Sequence, residues 1–395
     1  MRILICAALF QPHIGGYEKN VEILAKRLVK SGHEVDILTC NTNNSYDYEG
    51  SVKEKYLITR LPVWNLLNGA YPVPSLSMKT LRMLKRVFNY KYDVVITQTR
   101  FFATSLLGLA VAYVQKYYMM PLRGLIFAKY DKLPLIAVER GTCHSVVQNK
   151  VVGLINKLYD HTVGTLIVKS AKVNVGVSQA AADFVKHLGG ECRVIYNGIE
   201  CDRGRTEVKI DNKVKERYIT FVGRLIYAKG VQDLLTAFAM LLRDRKDLRL
   251  RIVGDGNYYQ ELLHQRNQLP TEDWNKVTFY GERKDVIDLL EESDIFVNPS
   301  YSEGLPTSVM EAASVGLPII ATDVGGTREI IRNMESGLLI PPGSPEHIAG
   351  AIKVLLHDER YAKVMGIMAK RNVMEKFNWD TITKQYDNLI KEVCQ

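Results

Sequence analysis

The sequence predicts an α/β protein built from two doubly wound parallel-sheet domains. Its 395 residues exceed one ordinary core and suit two α/β domains of common size. Short apolar runs alternate with helical segments in both halves, and the series restarts after a polar stretch from about residue 200 to 217. Strands that are apolar along their length must be covered on both faces, so this alternation indicates parallel sheets flanked by helices.

The first half opens with a β-type run and a turn at Gly15-Gly16, followed by a helical pattern that Gly32 ends. That helix is indicated by apolar residues at helical spacing, namely Val21, Leu24, Ala25, Leu28 and Val29. Strands are predicted in this half at residues 2–9, 34–39, 93–97, 134–138, 173–177 and 192–196.

The second half repeats the pattern as a second doubly wound domain. Its strands are predicted at residues 218–222, 248–253, 277–280, 295–297 and 318–321. We therefore expect one domain over residues 1–200 and another over 201–376, with a hinge near 198–216. Residues 377–395 are predicted to form a final amphipathic helix that packs back on the first domain.

Composition excludes several classes of protein. With 47% hydrophobic and 24% charged residues and no low-complexity tract, the chain is typical of a globular protein. The six cysteines form neither a C-x-x-C pair nor a zinc-type cluster, which argues against a disulfide framework and structural zinc. The first apolar run is too short for a signal peptide, and the run 101–114 falls short of the roughly 20 residues that span a bilayer. We expect a cytoplasmic protein.

The strongest chemical signal is Glu303-Gly-Leu-Pro-Thr-Ser-Val-Met-Glu311, which follows the predicted strand 295–297. Pro306 suits the first turn of a helix, so a helix is predicted to begin just after Glu303. Its free N–H groups and its dipole would form an anion site fit for a diphosphate. Glu311 lies one to two turns further on, where a carboxylate is placed to accept hydrogen bonds from ribose. The alternative is a structural helix with a capping glutamate and a buried, paired one.

A second signal is Phe221-Val-Gly-Arg-Leu-Ile-Tyr-Ala-Lys-Gly230, which places Arg224 and Lys229 between a strand and a helix. In a doubly wound sheet such a loop faces the crevice where ligands bind. Two cations there would stabilise a departing diphosphate, whose charge grows as the glycosidic bond breaks. The alternative is a pair of solvated charges at the start of a helix.

These elements, with Val253-Gly-Asp-Gly256 and Asp323-Val-Gly-Gly-Thr-Arg-Glu329, make residues 218–345 resemble the donor domain of glycosyltransferase family 4. Members of this family are retaining enzymes of the GT-B fold. The resemblance implies two Rossmann-like domains that face each other across a cleft. The donor site that it implies comprises Gly223, Arg224, Lys229, Glu303, Gly304, Leu305, Pro306 and Glu311.

By the same resemblance, each of these residues has an expected role. Glu311 would hold the ribose, and Arg224 and Lys229 would hold the diphosphate. Glu303 would contact the transferred sugar and is counted with the candidate catalytic residues.

The first half resembles the family more loosely. Gly15 and Gly16 are similar to its first strand-to-helix turn, where glycines let the backbone approach the acceptor or a donor phosphate. Family members commonly carry a histidine just after the strand that corresponds to residues 135–138. Here Arg140 occupies that place and His144 follows one loop later. Both are candidate catalytic residues, and the sequence leaves the choice between them open.

The resemblance implies transfer of a hexose-type sugar from a nucleoside diphosphate sugar to a hydroxyl of a lipid-linked or polysaccharide-precursor glycan, with retention of configuration. The chain contains no D-x-D motif, so neither a metal nor another cofactor is expected. The alternative is a catalytically silent scaffold that binds a sugar nucleotide, a lipid or a partner enzyme. A nicotinamide dehydrogenase is disfavoured because no G-x-G-x-x-G is present. The nucleotide, the sugar, the acceptor and the oligomeric state stay open.

The net charge of +9 is concentrated in the first half, where the stretch from Lys55 to Lys129 holds eleven Lys or Arg and a single acid, Asp93. Within it, the run Met78–Phe88 predicts a basic amphipathic helix. Its apolar face is predicted to hold Met78, Leu81, Leu84, Val87 and Phe88. Aromatic and basic residues between 117 and 130 are of the kind found at headgroup depth. We expect peripheral binding to the anionic inner face of the cell membrane and no nucleic-acid partner, since no recognition motif is present.

Overall fold

The computed structural model describes residues 1–12, 15–42, 48–51, 56–66, 71–118, 133–144, 146–147, 149–200 and 216–395. The chain divides into two compact units. The first unit comprises Met1–His144, Leu154–Tyr196 and Asp380–Gln395, and the second comprises Ser145–Gly153 and Asn197–Trp379. Most of the predicted hinge, and most of the aromatic and basic segment expected at headgroup depth, lie outside the described residues.

The first unit is built on a nine-stranded sheet. Its strands are β1 Arg2–Cys6, β2 Glu34–Asn41, β3 Tyr48–Ser51, β4 Tyr56–Leu66, β5 Tyr71–Pro74, β6 Val94–Gln98, β7 Leu135–Glu139, β8 Val173–Gly176 and β9 Cys192–Val194. They are ordered β3-β4-β2-β1-β6-β7-β8-β9, with β5 paired to β4. All pairs are parallel except those that β3 and β5 make with β4. Because β1, β6 and β7 are parallel, the loops that follow them leave the same edge of the sheet, and the strand order reverses at β1.

The helices of this part of the chain lie between the strands in sequence. They are α1 Gly16–Lys30, α2 Met78–Asn89, α3 Ala103–Tyr118, α4 Lys150–Tyr159, α5 Thr165–Ser170 and α6 Gln179–His187. A single π-helical turn, Asp160–Gly164, joins α4 to α5. The core of the unit is formed by buried aliphatic residues of β1, β2, β6, β7 and α3.

The second unit has a six-stranded sheet that is parallel throughout. Its strands are β10 Arg217–Val222, β11 Leu248–Val253, β12 Val277–Gly281, β13 Ile295–Asn298, β14 Ile319–Thr322 and β15 Leu338–Ile340. Its helices are α7 Val231–Leu241, α8 Tyr259–Arg266, α9 Val286–Glu291, α10 Thr307–Ser314, α11 Thr327–Ile330, α12 Pro345–His357 and α13 Glu359–Lys376. The order β12-β11-β10-β13-β14-β15 reverses at β10, so the loops after β10 and β13 start side by side.

The last helix, α14 Trp379–Cys394, belongs almost entirely to the first unit. Its buried face includes Tyr386 and Ile390. Asp387 lies 2.8 Å from the ring Nε2 of His33, and Arg193 forms a bidentate ion pair with Glu392. Residues 380–395 therefore complete the first unit although they follow the second in sequence.

The predicted α/β fold with two doubly wound parallel sheets is confirmed. The sequence did not predict β3, β4 and β5, which form the antiparallel edge of the first sheet, or the three-residue strand β15. The pattern that predicts buried parallel strands is an unbroken apolar run, and an edge strand such as β5, with prolines at 72 and 74, lacks it. Among the described residues, no helix is long and apolar enough to cross a membrane.

Candidate functional site

The loops after β10 and β13 bring one set of predicted residues together in the second unit. Because β10 and β13 are parallel neighbours, their carboxyl ends lie side by side. The backbone N–H of Tyr301 in the second loop donates to the carbonyl of Ala228 in the first, at 2.8 Å. The side chains meet as well, since Nζ of Lys229 lies 2.7 Å from Oε1 of Glu303. The parallel pairing of two strands thus joins motifs that are 74 residues apart.

The carboxylate of Glu303 is held in one place. The residue is only 7% exposed. Its Oε1 accepts hydrogen bonds from Lys229, from Oγ of Ser300 at 2.6 Å and from Nδ2 of Asn298 at 3.2 Å. A buried carboxylate that accepts from a cation and two further donors has little freedom to rotate. Glu303 is therefore a hydrogen-bond acceptor with a fixed position. Lys229 is already paired with its carboxylate.

Two glycines of the predicted motifs are required by close backbone approaches. Gly230 has φ +68°, and a Cβ there would lie 2.0 Å from the carbonyl oxygen of Pro299. Gly254 has φ +133°, and its Cβ would lie 2.0 Å from the carbonyl oxygen of Gly223. Any side chain at these positions would push the loops apart. The glycines therefore set the spacing of the loops that carry Arg224, Lys229 and Glu303.

Arg224 differs from Lys229 in its surroundings. Its side chain is exposed, and no carboxylate in the described part of the chain pairs with it. Its positive charge is therefore available to an anion, whereas that of Lys229 is already paired. This difference is not visible in the sequence, where the two residues stand five positions apart in one loop.

Glu311 lies on α10, where it is 8% exposed. Pro306 immediately precedes the first helical residue, Thr307, so it stands one position before the first turn in which it was predicted. Leu305 and Pro306 are buried, and the carbonyl of Gly304 accepts from the backbone N–H of Gly326 at 3.1 Å. That bond ties the loop before α10 to the Asp323–Glu329 motif.

In the first unit, Arg140 contacts the end of β6 and the first turn of α1. Its Nε and Nη2 donate to Oε1 of Gln98 at 3.1 and 2.9 Å. Its guanidinium carbon lies 5.2 Å from the ring centroid of Tyr17, in the first turn of α1 after Gly15 and Gly16. Burial lowers the pKa of Arg140, but a guanidinium remains charged at neutral pH. The structure thus brings together the glycine turn and the arginine at the end of β7.

His144 is held by a buried group of charges around Asp160. Its Nδ1 lies 2.7 Å from Oδ2 of Asp160, which is fully buried. Nε of Arg100 donates to Oδ1 of Asp160 at 3.0 Å, and its Nη1 lies 2.7 Å from Oε1 of Glu139. Burial disfavours the Arg100 cation, yet Glu139 and Asp160 outweigh that effect and raise its pKa.

Glu139 connects this network to Arg140. Its Oε1 accepts from the backbone N–H groups of Arg140 at 2.9 Å and Gly141 at 2.6 Å. Arg140 and His144 are therefore anchored to opposite ends of one buried chain of charges. Sequence reasoning missed Arg100 and Asp160. The available signal was a pair of charged residues, Arg100 and Glu139, at the carboxyl ends of adjacent strands.

Two family models match successive parts of the chain. The model described as Glycosyltransferase Family 4 matches residues 14–203, and the model described as Glycosyl transferases group 1 matches residues 202–372. The first match contains the glycine turn, Arg140 and His144. The second contains the loops after β10 and β13.

Related proteins match two thirds or more of the chain. An uncharacterised glycosyltransferase of Methanocaldococcus jannaschii is 29% identical, with 100% of this chain and 99% of that protein covered. The N,N'-diacetylbacillosaminyl-diphospho-undecaprenol alpha-1,3-N-acetylgalactosaminyltransferase of Campylobacter jejuni is 28% identical over 68% of this chain and 75% of its own length.

Among solved structures, HepE of Anabaena in complex with UDP and glucose superposes with a TM-score of 0.74 at 19% identity, covering 99% of both chains. That likeness shows a shared GT-B fold. The two family models together span residues 14–372, and their order follows the two sheets along the chain. This protein therefore belongs to the family 4-like glycosyltransferases of the GT-B fold.

Proposed function

We propose that the protein transfers a hexose from a nucleoside diphosphate sugar to a glycan hydroxyl with retention of anomeric configuration and without a metal. The observation that carries this proposal is the arrangement of the two loops in the second unit. It combines a fixed buried carboxylate, an exposed arginine and the start of a helix, which match the chemistry of a sugar linked to a diphosphate. The UDP and glucose bound to HepE support a donor of this class.

The diphosphate is assigned to Arg224 and the first turn of α10. Breaking the glycosidic bond leaves additional negative charge on the diphosphate, and groups that bind that charge lower the barrier. The unpaired guanidinium of Arg224 supplies a full positive charge. The dipole at the start of α10 adds a partial one. No D-x-D motif offers a metal for the same task, so the arginine takes that role.

Glu303 is assigned to the transferred sugar, and Glu311 to the ribose. A carboxylate accepts hydrogen bonds from two adjacent sugar hydroxyls well, and it orients the ring best when it is itself immobile. Lys229 acts on Glu303 rather than directly on the phosphates, since the two side chains form an ion pair.

The acceptor is assigned to the first unit, with the Gly15–Gly16 turn, Arg140 and His144 as its polar groups. The Campylobacter relative carries in its name an acceptor linked to undecaprenyl diphosphate, which supports a lipid-linked glycan. Arg140 supplies a positive charge. His144, whose Nδ1 contacts Asp160, retains Nε2 as a hydrogen-bonding group.

Docking on an anionic membrane is assigned to α2. Of the predicted apolar face, Val87 is buried and Leu84 and Phe88 are half-buried, whereas Met78 is 67% and Leu81 is 53% exposed. The face therefore divides into a packed part and an exposed part. The exposed part is accompanied by four exposed basic residues, Lys79, Arg82, Lys85 and Arg86. Each cation near an anionic surface contributes about 1 kcal/mol, so four of them support reversible binding at the inner face of the cell membrane.

The test of the proposed function starts from a screen of UDP, GDP and ADP sugars against the purified protein. The donor that raises the melting temperature is incubated with a glycan acceptor, and the fresh product is examined by NMR. We expect the donor's anomeric configuration in the product and full turnover in EDTA. An inverted product, or turnover that EDTA abolishes and Mg²⁺ or Mn²⁺ restores, contradicts the proposal. Binding without hydrolysis or transfer would indicate a silent scaffold instead.

A further inference from the structure

Three histidines from separate segments of the first unit converge beside the buried charge network. His144 follows β7, His161 lies in the π-helical turn, and His187 is the last residue of α6. One ring nitrogen from each lies within 4.8 Å of the other two. The ring centroids are 5.2, 5.6 and 6.2 Å apart. Imidazole is the commonest metal ligand in proteins, and three such rings at one point form a potential ligand set.

The best-held member of the set is oriented as metal-binding histidines usually are. Nδ1 of His144 faces Oδ2 of Asp160 at 2.7 Å, which leaves Nε2 as the nitrogen open to a metal. A carboxylate that receives the other ring N–H of a ligand fixes the tautomer and makes the ligand more basic. Asp160 is itself fixed, because Nε of Arg100 donates to its second oxygen at 3.0 Å.

The local backbone supports the same arrangement. The wide turn Asp160–Gly164 buries Asp160 completely while the next residue, His161, is exposed. Turns of this kind are rare and are frequently found at functional sites. Phe184 closes one side of the cluster, with its ring centroid 5.3 Å from that of His144 and 5.9 Å from that of His187. The carboxylate of Asp160 therefore orients one of the three ligands, and the ring of Phe184 packs against two of them.

We propose that His144, His161 and His187 form a binding site for a transition-metal dication, of which Zn²⁺ is the representative. Three imidazoles suit zinc, whereas Mg²⁺ prefers oxygen ligands. Tetrahedral zinc with bonds of about 2.0–2.1 Å needs nitrogens roughly 3.3 Å apart. In the structure the three ring nitrogens lie within 4.8 Å of one another. The exposed rings of His161 and His187 rotate to reach the shorter spacing when zinc binds, and a water fills the fourth position. The site is distinct from Arg224, to which the donor diphosphate is assigned in the second unit. Zinc on Nε2 of His144 would occupy the nitrogen that the proposed function assigns to the acceptor, so that assignment applies to the zinc-free protein.

The experiment measures zinc binding directly. The chain, freed of any histidine tag and stripped with EDTA, is titrated with ZnCl₂ by calorimetry, and bound zinc is counted after dialysis. We expect about one zinc per chain and a higher melting temperature, since a ligand that binds only the folded state stabilises it. Both His161→Ala and His187→Ala weaken binding by tenfold or more. Because these side chains are exposed, each variant keeps the melting temperature of the zinc-free wild type.

Two control variants separate this site from nonspecific binding. His347→Ala removes an exposed histidine of the second unit, and Cys143→Ser removes the exposed thiol next to His144; both retain wild-type affinity. MgCl₂ produces no binding heat at the same concentration. The proposal is overturned if wild type binds no stoichiometric zinc, if His161→Ala and His187→Ala bind it as tightly as wild type, or if Cys143→Ser abolishes binding.

Discussion

In the proposed function, the donor ribose is recognised by the buried carboxylate of Glu311. Removing a charge-assisted hydrogen bond typically costs about 1.5 to 3 kcal/mol, so Glu311→Ala is expected to weaken donor binding by about tenfold or more. The measurement is the donor dissociation constant by calorimetry. Glu335→Ala, which removes an exposed carboxylate of the same unit, serves as the matched control. Wild-type affinity in Glu311→Ala would place the ribose elsewhere.

Arg224 and Lys229 are expected to have different roles. Arg224 acts on the diphosphate, whereas Lys229 positions Glu303. Arg224→Ala should lower kcat on the order of 10²-fold, because negative charge on the diphosphate grows in the reaction. It should leave the melting temperature unchanged, because the side chain is exposed. Lys229→Ala should lower both kcat and the melting temperature, because it leaves the buried carboxylate of Glu303 without its cation. Steady-state kinetics and thermal unfolding measure the two effects, with Arg332→Ala as control. Equal melting temperatures in both variants would refute the distinction.

Removing the His144 side chain is expected to lower turnover more than it weakens substrate binding. Because Asp160 holds the ring in one orientation, His144→Ala should lower kcat by about tenfold or more and change KM little. Kinetics are measured in EDTA, so that the variant is tested apart from zinc, and His347→Ala is the control. A change in KM alone would make His144 a binding residue and leave the place of the usual histidine to Arg140.

At the scale of single residues, the sequence singled out candidate side chains but could not indicate which other side chains they contact. Lys229 and Glu303 were placed in loops of the same type, but their 2.7 Å contact depends on the pairing of β10 with β13, which no local pattern encodes. The bond between Arg100 and Asp160 also depends on a π-helical turn. No apolar periodicity predicts such a turn.

At the scale of elements, α2 packs one face on the core of the first unit and exposes another face that is assigned to an anionic membrane. Changing Lys79, Arg82, Lys85 and Arg86 to Glu should abolish co-sedimentation with anionic liposomes at low salt, because the attraction is electrostatic and is screened by added salt. The charge-matched control changes Lys353, Arg360, Lys363 and Arg371 of the second unit, and it should bind as wild type does. Equal binding by the α2 variant, or no binding by wild type, would reject this surface.

A second helix presents apolar side chains that the sequence analysis did not single out. Leu154, Ile155 and Leu158 of α4 are all exposed. Their spacing is that of a helix face, and such spacing normally indicates packing in the core. Periodicity indicates that a helix face is apolar but not what covers it. The sequence therefore predicted α2 as an amphipathic helix but could not predict how much of its apolar face is exposed.

At the scale of the whole molecule, α14 is expected to stabilise the first unit and not the second. Ile390 is fully buried, and Ile→Ala in a packed core typically costs about 2 to 5 kcal/mol. In Ile390→Ala, amide hydrogen exchange should accelerate in β1 and α1 and remain unchanged in β10 and β13, with the exposed Lys384→Ala as control. Acceleration confined to the second unit would contradict the assignment of residues 380–395.

The alternation of strands and helices was sufficient to predict both parallel sheets, because each buried strand is an apolar run long enough to be recognised alone. The antiparallel edge formed by β3, β4 and β5 was not predictable in this way. β4 pairs with β2, and β3 and β5 pair in turn with β4, so these strands are placed by their partners rather than by an unbroken apolar run of their own.

The path of the chain through α14 also sets the order of events during synthesis. Residues 380–395 leave the ribosome only after the whole of the stretch 197–379 that makes up most of the second unit. At roughly 5–20 residues per second, that interval lasts on the order of 10 to 40 s. During this time the surface that later receives Tyr386 and Ile390 is uncovered. The nascent first unit is therefore a candidate client for chaperones, while the second unit can finish folding as soon as its own residues emerge.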